Sequence, residues 1–189
     1  DTNWNFILGR DDDFKLIESI VKKNSNLNII KVNNDKLNQP ITKTRYLSKH
    51  FNKKLFETYN QINSTNSQTF KKKTKAFLNK NLKNYDLVIV LDFGHGFLDD
   101  NLIKIIQNKS KYLGLNVQTN SGNYGYNLFT KYKKVNLLCI DNNEIRLGTK
   151  ERFKKLEEIM PYEVSKSTKF DNLIITCGKD GCLSYSKKD

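Results

Sequence analysis

Short apolar runs alternate with helical stretches along the second half of the chain. The run Asp86–Leu91 is apolar after its first residue and predicts a strand that is buried on both faces. Apolar residues at helical spacing predict helices over Leu98–Leu113 and Asn142–Met160. Gly148 is a candidate break in the second helix, and Pro161 ends it. Further strands are predicted at Leu115–Thr119, Val135–Ile140, Leu173–Thr176 and Cys182–Ser186. Strands and helices that alternate in this way are typical of βαβ units, so the predicted fold class is α/β with a mostly parallel sheet.

The first third of the chain has a different pattern, with extended and mostly polar segments. Leu27–Val32 predicts a short strand. Ile41–Leu47 and Lys53–Tyr59 predict a hairpin, because both contain strand-forming residues and a polar turn separates them. The apolar spacing over Thr69–Leu82 predicts a basic amphipathic helix. The sequence therefore predicts one domain, in which a small sheet within residues 27–60 projects from an α/β core over residues 84–189.

Composition limits the possible classes of protein. Hydrophobic residues make up 37% of the 189 residues and charged residues 28%, which supports a packed core and argues against wholesale disorder. No apolar run approaches the roughly 20 residues that a membrane helix needs, and no secretory signal opens the chain. We therefore expect no membrane partner and a cytoplasmic location. Three cysteines form no zinc-binding spacing with the two histidines and are expected to be reduced thiols: Cys139, Cys177 and Cys182.

The net charge of +13 raises the possibility that the chain binds nucleic acid. However, the basic residues are 29 lysines and only 4 arginines, and the chain has 25 asparagines but one alanine. Codons rich in A and T favour lysine and asparagine, so a coding bias explains much of the charge. Proteins that read nucleic acid favour arginine, which binds bases and phosphates through paired hydrogen bonds. Nucleic acid is therefore the less favoured partner, although the sequence leaves this alternative open.

Polar and glycine-rich turns follow the predicted strands of the core. In open α/β sheets, ligands bind at the carboxyl ends of the strands, so these turns are candidate sites. They are Asp92–Gly96, Asn120–Gly125, Asp141–Glu144 and Cys177–Gly181. Each also has an ordinary structural explanation, such as a helix cap, a hydrated loop or a hairpin turn.

Two of these turns could bind a metal ion or phosphate. Asp141 and Glu144 are three residues apart, a spacing that can hold a hydrated Mg²⁺ beside substrate phosphates but also forms a capping box at the start of a helix. The glycines around Lys179 and Asp180 could lie over a nucleotide phosphate. That turn is not a Walker A loop, because no Ser or Thr follows the lysine. The spacing alone leaves both alternatives open.

Taken together, four stretches resemble the PfkB/ribokinase family of sugar kinases, and most closely the kinase domain of ADP-heptose synthesis enzymes and related kinase–nucleotidyltransferase proteins. Gln39–Tyr46 with Lys54–Glu57 resembles the lid hairpin that covers the sugar. Val88–Gly96 resembles the strand and turn that reach the substrate. Cys139–Glu144 resembles the family's Asn-x-x-Glu motif, and Ile174–Cys182 is similar to its nucleotide-binding strand and turn.

The resemblance implies a ribokinase-like α/β fold with a small β lid. It also implies ATP-dependent phosphorylation of a sugar or sugar phosphate, with ATP and Mg²⁺ as cofactors. Substrate-binding residues would lie on the lid and after two core strands: Lys43, Arg45, Asp92, His95 and Asn120. Nucleotide binding would involve Thr176, Gly178 and Gly181. Mg²⁺ binding would involve Glu144 and Asp141. Kinases of this family often pair through the lid sheet, so a homodimer is a further expectation.

The sequence departs from the family pattern at several positions. Asp141 stands where the family has Asn, His95 where heptose kinases carry Lys, and Asn120-Ser121 where they carry Asp-Pro. The family's Gly-Gly-rich sugar motif does not occur, and neither does its Gly-Ala-Gly-Asp motif, which supplies the catalytic base. We therefore expect this chain to be the central part of one kinase domain, without phosphotransfer activity of its own. The alternative is a non-catalytic nucleotide- or sugar-binding module of the same fold.

Overall fold

The computed structural model describes residues 4–8, 19–23, 26–31, 42–49, 53–60 and 68–187. The chain falls into two units, Asp1–Thr74 and Lys75–Asp189. The described part of the first unit contains short strands in two small sheets, and the second unit contains a larger sheet with its helices.

The first small sheet joins strand β1, Trp4–Leu8, to strand β2, Leu27–Lys31. The two strands are parallel, with Trp4 opposite Leu27. Strand β2 confirms the strand predicted over Leu27–Val32. Strand β1 was not predicted, because a five-residue segment without clear alternation gives too weak a signal.

The second small sheet is the predicted hairpin. Strand β3, Thr42–Leu47, pairs antiparallel with strand β4, Lys54–Asn60. Tyr46 and Phe56 lie opposite each other and their rings stack with centroids 4.3 Å apart, which makes one face of the hairpin aromatic. Residues 39–41 and 50–52, which belong to the predicted lid motif and turn, lie outside the described residues.

Helix α1, Gln68–Asn81, continues into a turn of 3-10 helix at Leu82–Asn84. Leu78 and Leu82 are each only 4% exposed. Most lysines of the helix point to solvent, as expected of the amphipathic helix predicted over Thr69–Leu82.

The second unit is built on five strands: Val88–Asp92 (β5), Leu113–Val117 (β6), Leu137–Asp141 (β7), Asn172–Thr176 (β8) and Cys182–Ser186 (β9). They follow one another across the sheet in chain order; β5 to β8 are parallel, and β9 is antiparallel to β8. The helices are Asp100–Lys109 (α2), Asn142–Thr149 (α3), Leu156–Ile159 (α4) and Tyr162–Ser165 (α5). The α/β class with a mostly parallel sheet is confirmed.

The core of this unit lies on one face of the sheet. Leu115, Leu138 and Leu173 lie side by side on neighbouring strands, and none is more than 2% exposed. On the other face, Ile89 and Leu91 of β5 are 50% and 60% exposed. The prediction that this strand is buried on both faces is therefore wrong, because successive side chains of a strand point to opposite faces and the described residues bury only one face of β5.

The predicted helix over Asn142–Met160 is interrupted just after Gly148. A Cβ at Gly148 would overlap the ring of Phe129, which is fully buried, so glycine permits the close approach of α3 to this ring. Lys150 follows α3 with a left-handed φ of 61°, which ends the helix. Arg146 donates hydrogen bonds to three carbonyls in the following turn, those of Glu151, Arg152 and Lys154.

Within the described residues, no helix combines the length and the hydropathy that crossing a membrane requires. Cys139 and Cys177 are half-buried, Cys182 is exposed, and all three carry free thiols.

Candidate functional site

The carboxyl ends of β5, β6, β7 and β8 lie at one side of the sheet, because these four strands are parallel. Asp92 at the end of β5 pairs with Val117, and Asp141 at the end of β7 pairs with Thr176. Four loops therefore leave the sheet side by side, after residues 92, 117, 141 and 176. We call this side of the sheet the carboxyl edge.

Asp92 occupies the end of β5, and the residue is only 6% exposed. Its Oδ2 accepts a 2.7 Å hydrogen bond from the Tyr132 hydroxyl and lies 2.6 Å from Lys131 Nζ. Its Oδ1 accepts a 3.0 Å hydrogen bond from the N–H of Gly94. Burial, together with the Asp92 carboxylate, raises the pKa of Tyr132, so the phenol remains a donor. The contacts of Asp92 are thus internal to the protein, and its binding of substrate stays a prediction.

Asn127 is a buried amide that connects three segments at the carboxyl edge. Its Nδ2 donates to the carbonyl of Asp92 at 2.9 Å and to that of Gln118 at 3.0 Å, and its Oδ1 accepts from Lys131 Nζ at 2.6 Å. The amide therefore holds the ends of β5 and β6 together and places Lys131 beside Asp92. Sequence reasoning identified neither Asn127 nor Lys131. Their only signal is a polar pair four residues apart, which is common on protein surfaces.

Two asparagines from the loop after β6 hold the loop after β5. The Nδ2 groups of Asn120 and Asn123 each donate to the carbonyl of Phe93 at 3.0 Å, and Asn123 also donates to that of Gly94 at 3.3 Å. Gly94 has a φ of 70°, and a Cβ there would overlap the neighbouring asparagine side chains. The ring of half-buried His95 stacks on Phe93 with centroids 6.3 Å apart. The predicted substrate residues His95 and Asn120 therefore lie on connected loops.

The carboxylates of Asp141 and Glu144 cap helix α3 at the end of β7. Asp141 Oδ1 accepts a 2.7 Å hydrogen bond from Asn143 N–H, and Glu144 Oε2 accepts a 3.2 Å hydrogen bond from Asp141 N–H. Glu144 Oε1 accepts a 2.8 Å hydrogen bond from Thr119 N–H, which ties the end of β6 to α3. Burial raises the pKa of Glu144, although the two backbone donors oppose this shift.

The donor chemistry of Asp141 and Glu144 suits a hydrated Mg²⁺. In proteins Mg²⁺ usually keeps several waters and binds through one or two carboxylates together with substrate phosphates. An ionised carboxylate has about four acceptor positions, so the hydrogen bonds described above leave positions on both groups. Within the described ranges, no cluster of three or more His, Cys, Asp or Glu side chains could hold a metal ion. The pair therefore fits Mg²⁺ held through water and phosphate rather than a cation enclosed by protein.

The turn between β8 and β9 exposes its backbone at the carboxyl edge. Thr176 is exposed at the end of β8, and the N–H of Cys177 donates to the carbonyl of Gly181 at 2.8 Å. Gly178 and Gly181 have φ values of 60° and 89°, and a Cβ at either would meet no atom within 4 Å. The glycines permit this left-handed backbone and leave an open surface of the kind that accommodates phosphate.

The two predicted lid residues lie in the first unit, on the β3–β4 hairpin. Lys43 Nζ is 3.2 Å from Glu57 Oε1, and Arg45 Nε and Lys54 Nζ are 3.7 Å and 3.2 Å from Glu57 Oε2. Burial raises the pKa of Glu57, but hydrogen bonds from Lys54 and Lys43 lower it overall. Three cations around one carboxylate leave this cluster with a net charge of +2, which favours anions.

The structure thus brings eight of the ten predicted site residues to the carboxyl edge of one sheet: Asp92, His95, Asn120, Asp141, Glu144, Thr176, Gly178 and Gly181. Lys43 and Arg45 belong to the other unit. A cavity of about 600 Å³ lies at the opposite ends of the strands, where its lining includes Tyr112, Leu137 and Ser186, so it is not part of this site.

The fold matches solved sugar kinases. Phosphofructokinase-2 from Escherichia coli in complex with fructose-6-phosphate superposes with a TM-score of 0.63 at 9% identity, covering 99% of this chain and 61% of that one. Ribokinase from Giardia lamblia superposes with a TM-score of 0.63 at 14% identity, covering 97% of this chain and 56% of that one. The chain therefore spans about three fifths of the length of these structures and has a ribokinase-like fold. No protein-family model and no curated protein sequence matches it.

Proposed function

We propose that the protein containing this chain transfers the γ-phosphoryl group of ATP to a hydroxyl of a sugar or sugar phosphate. The fold supports this proposal, because the matched structures are a phosphofructokinase and a ribokinase. The chain spans only about three fifths of their length, so the activity is proposed for the whole protein. The resemblance is closest to heptose kinases, but His95 and Asn120-Ser121 replace the Lys and Asp-Pro that those kinases carry, so it leaves the sugar open.

One observation carries the proposal: the candidate ligand residues lie on neighbouring loops that are connected to one another. Asn123 joins the loops after β5 and β6, and Glu144 joins the end of β6 to the start of α3. The β7–β8 pair of Asp141 with Thr176 adds the fourth loop. Phosphoryl transfer depends mainly on positioning and on neutralising phosphate charge, and connected loops hold reacting groups in fixed relative positions.

We assign acceptor binding to the loops after β5 and β6. Asn120 and His95 offer polar groups there, and Asp92 acts as a positioning residue, since its buried carboxylate holds Lys131 and the N–H of Gly94. We also propose that Lys43 and Arg45 on the hairpin bind substrate anions, for which the +2 charge of their cluster is suited.

We assign nucleotide binding to the turn after β8, where Thr176, Gly178 and Gly181 present an open backbone surface. Asp141 and Glu144 would hold Mg²⁺, which neutralises charge on the nucleotide phosphates when bound. Glu144 has a second task, because its hydrogen bonds to two backbone N–H groups keep the ends of β6 and β7 in register.

In the proposed reaction, the acceptor hydroxyl oxygen forms a bond to the γ-phosphorus while the bond from that phosphorus to the ADP oxygen breaks. The hydroxyl proton passes to a base, and ADP leaves. The resemblance assigns the base to a Gly-Ala-Gly-Asp motif, which does not occur in this sequence. This chain would therefore supply acceptor and nucleotide contacts but not the proton acceptor.

Binding of a fluorescent ATP analogue to the 189-residue chain, with and without Mg²⁺, tests the nucleotide assignment. We expect Mg²⁺-dependent binding with a dissociation constant between about 10 μM and 1 mM, weakened roughly tenfold in the double variant Asp141→Asn/Glu144→Gln. Asp86→Asn is the matched control, because the Asp86 side chain is 98% exposed and precedes the opposite end of β5. Absence of nucleotide binding, or binding that neither Mg²⁺ nor the double variant alters, would contradict the proposal.

The second candidate is a non-catalytic module of the same fold, which a downstream reading frame without a Gly-Ala-Gly-Asp segment would favour. Such a module would bind nucleotide or sugar and turn over neither. Reading the flanking open reading frame for that motif, followed by a phosphotransfer assay of the full protein, separates the two candidates. A full protein that contains the motif and phosphorylates a sugar excludes the module.

We also propose that two copies of the protein pair through the β3–β4 hairpin. Tyr46 and Phe56 are 45% and 55% exposed on one face of a two-stranded sheet, which is marginally stable when left alone in water. Sedimentation velocity of the wild type and of Phe56→Lys tests this pairing. A wild-type dimer that the variant converts to a monomer is expected, and a wild-type monomer at ~100 μM would contradict it.

A further inference from the structure

The loop that follows β6 has an unusual composition. Residues 120–127, here called the Tyr loop, read Asn-Ser-Gly-Asn-Tyr-Gly-Tyr-Asn and contain only four residue types. The longer stretch from Gln118 to Leu128 has no charged residue, in a chain of which 28% is charged. Tyrosine, serine, glycine and asparagine are also the residues that dominate the binding loops of antibodies. Tyrosine supplies rigid contact area there, and the small polar residues supply adaptable hydrogen bonds.

The two tyrosines of the Tyr loop point into solvent. Tyr126 is 90% exposed and Tyr124 is 65% exposed. By contrast, Phe129 and Tyr132, a few residues further along the chain, are fully buried. An exposed tyrosine ring does not gain the stabilisation that burial of its apolar face would bring. Exposed rings on a loop at the carboxyl edge are therefore suited to pack against a ligand.

The backbone that carries these rings is held by many hydrogen bonds. Asn120 N–H donates to Asn123 Oδ1 at 2.8 Å, Tyr126 N–H donates to the Asn123 carbonyl at 2.9 Å, and Thr119 Oγ1 donates to the Asn127 carbonyl at 3.0 Å. The Asn127 side chain fixes the end of the loop to β5 and β6. The rings are therefore presented from an ordered support, which lowers the entropy lost when a ligand binds.

The charges around the Tyr loop indicate which ligand it suits. The nearest lysine in the chain, Lys131, lies 2.6 Å from the Asp92 carboxylate, so its charge is already matched. A phosphate would gain little at this loop. A neutral sugar ring with many hydroxyls would gain more binding free energy than a phosphate, because its C–H groups can pack on aromatic faces and its hydroxyls can form hydrogen bonds with the amides and with Ser121.

We infer that Tyr124 and Tyr126 form a stacking surface for the sugar ring of the acceptor, with the amide and hydroxyl groups of the Tyr loop binding its hydroxyls. The inference rests on the proposed sugar kinase function and adds that the ring, rather than a phosphate, is recognised at this loop.

Fluorine NMR of the 189-residue chain labelled with 3-fluorotyrosine tests this inference. The chain has 9 tyrosines, and the variants Tyr124→Phe and Tyr126→Phe assign the two resonances of interest. The probes are ribose, fructose, mannose, a manno-heptose and their monophosphates, each titrated to ~50 mM, a range in which even millimolar affinities saturate. We expect saturable shifts of the two resonances with at least one sugar. The dissociation constant for that sugar should rise at least tenfold in Tyr126→Ala and should be largely restored in Tyr126→Trp, which retains an aromatic face.

Phe153→Ala is the matched control, because Phe153 is 88% exposed but lies after helix α3, away from the Tyr loop. It should leave sugar affinity unchanged. No shift at Tyr124 or Tyr126 with any probe would overturn the inference. So would shifts that Tyr126→Ala does not weaken, or shifts that follow protein concentration and thus report contact with a second copy. Binding of the ATP analogue is measured on the same samples. If nucleotide binds and sugar does not, only the stacking surface fails, and if nucleotide also fails to bind, the proposed function fails.

Discussion

Lys131 Nζ lies 2.6 Å from Oδ2 of Asp92, and this pair joins the end of strand β5 to a short 3-10 helix, Phe129–Lys131, about forty residues later in the chain. The carboxylate is buried, and the ammonium group keeps part of its contact with water. Tyr132 donates a hydrogen bond to the same oxygen. One carboxylate therefore holds Lys131 and Tyr132 beside the end of β5.

Replacing Asp92 with Asn should lower the free energy of unfolding by about 2–3 kcal/mol, because a buried ion pair is broken and Lys131 loses its partner. Urea denaturation followed by circular dichroism measures this change. Asp86→Asn is the control, since Asp86 pairs with Lys111 at 3.0 Å but is fully solvated, and it should change stability by less than ~0.5 kcal/mol. Equal effects of the two substitutions would contradict the structural role of Asp92.

Gly148→Ala should destabilise the chain, although alanine normally favours a helix over glycine by about 1 kcal/mol. The added Cβ would overlap the buried ring of Phe129, and overpacking of this kind costs about 1–3 kcal/mol. Gly114→Ala in β6 provides the comparison, because its Cβ would meet Ile89 Cγ1 at an ordinary 3.8 Å. Thermal unfolding of both variants checks the prediction, and a stabilised Gly148→Ala would refute the contact.

The stability of the chain should contain a component that decreases as pH rises through the range in which Glu144 titrates. Burial raises the pKa of Glu144 above its unfolded value. At pH values between the pKa of Glu144 in the unfolded chain and its pKa in the folded chain, the folded chain binds more protons. This component of the stability is therefore fully present below the pKa of the unfolded chain, and it is lost as pH rises through the pKa of the folded chain. Glu57 and Glu163 have lowered pKa values and contribute with the opposite sign.

Comparison of the wild type with Glu144→Gln isolates this component, because glutamine does not titrate and still offers an oxygen to the N–H of Thr119. Free energies of unfolding measured from about pH 4 to pH 7 should differ between the two proteins in slope, with the wild type losing stability relative to the variant as pH rises. Parallel curves would show that the carboxyl group titrates as it does in the unfolded chain.

The isolated 189-residue chain should transfer no phosphate from ATP to any sugar, since the motif that the resemblance requires for a base is absent from the sequence. Release of ADP, followed with a coupled assay over the sugar probes of the NMR experiment, measures this. Sustained turnover above the rate of a Glu144→Gln sample would show that a base lies within these residues.

Binding to duplex DNA of arbitrary sequence should be weak at physiological salt, with a dissociation constant above about 1 μM at ~150 mM salt. The lysines of α1 present positive charge, but arginines number only 4 in the chain. Fluorescence anisotropy over a salt series provides the measurement. A nanomolar constant at ~150 mM salt would restore the nucleic acid alternative.

The sequence predicted the order of the core elements because buried strands are short apolar runs with clear ends. Strand β9 was predicted with its observed bounds, and β8 to within one residue. Strand β6 was predicted two residues too late. Leu113 continues the helical spacing of α2, so periodicity alone could not show that the helix ends at Lys109 and that Leu113 begins the strand.

The direction of polar side chains at the carboxyl edge could not be predicted. Asp92 is predicted to contact substrate, and the sequence could not show that its carboxylate also contacts Lys131 and Tyr132. These partners are about forty residues away in the chain, and which distant polar groups meet depends on how the strands pack rather than on local propensity. By contrast, the capping box of Asp141 and Glu144 was among the predicted alternatives, because it depends on neighbouring residues only.

The uncovered face of β5 has a practical consequence for handling the chain. Ile89 and Leu91 form an exposed hydrophobic patch through which copies of the chain can associate, whereas the net charge of +13 makes the copies repel one another. Added salt screens that repulsion and leaves the aliphatic attraction intact. Purification buffers of low ionic strength should therefore keep the sample clear, and concentrated salt solutions should turn it cloudy.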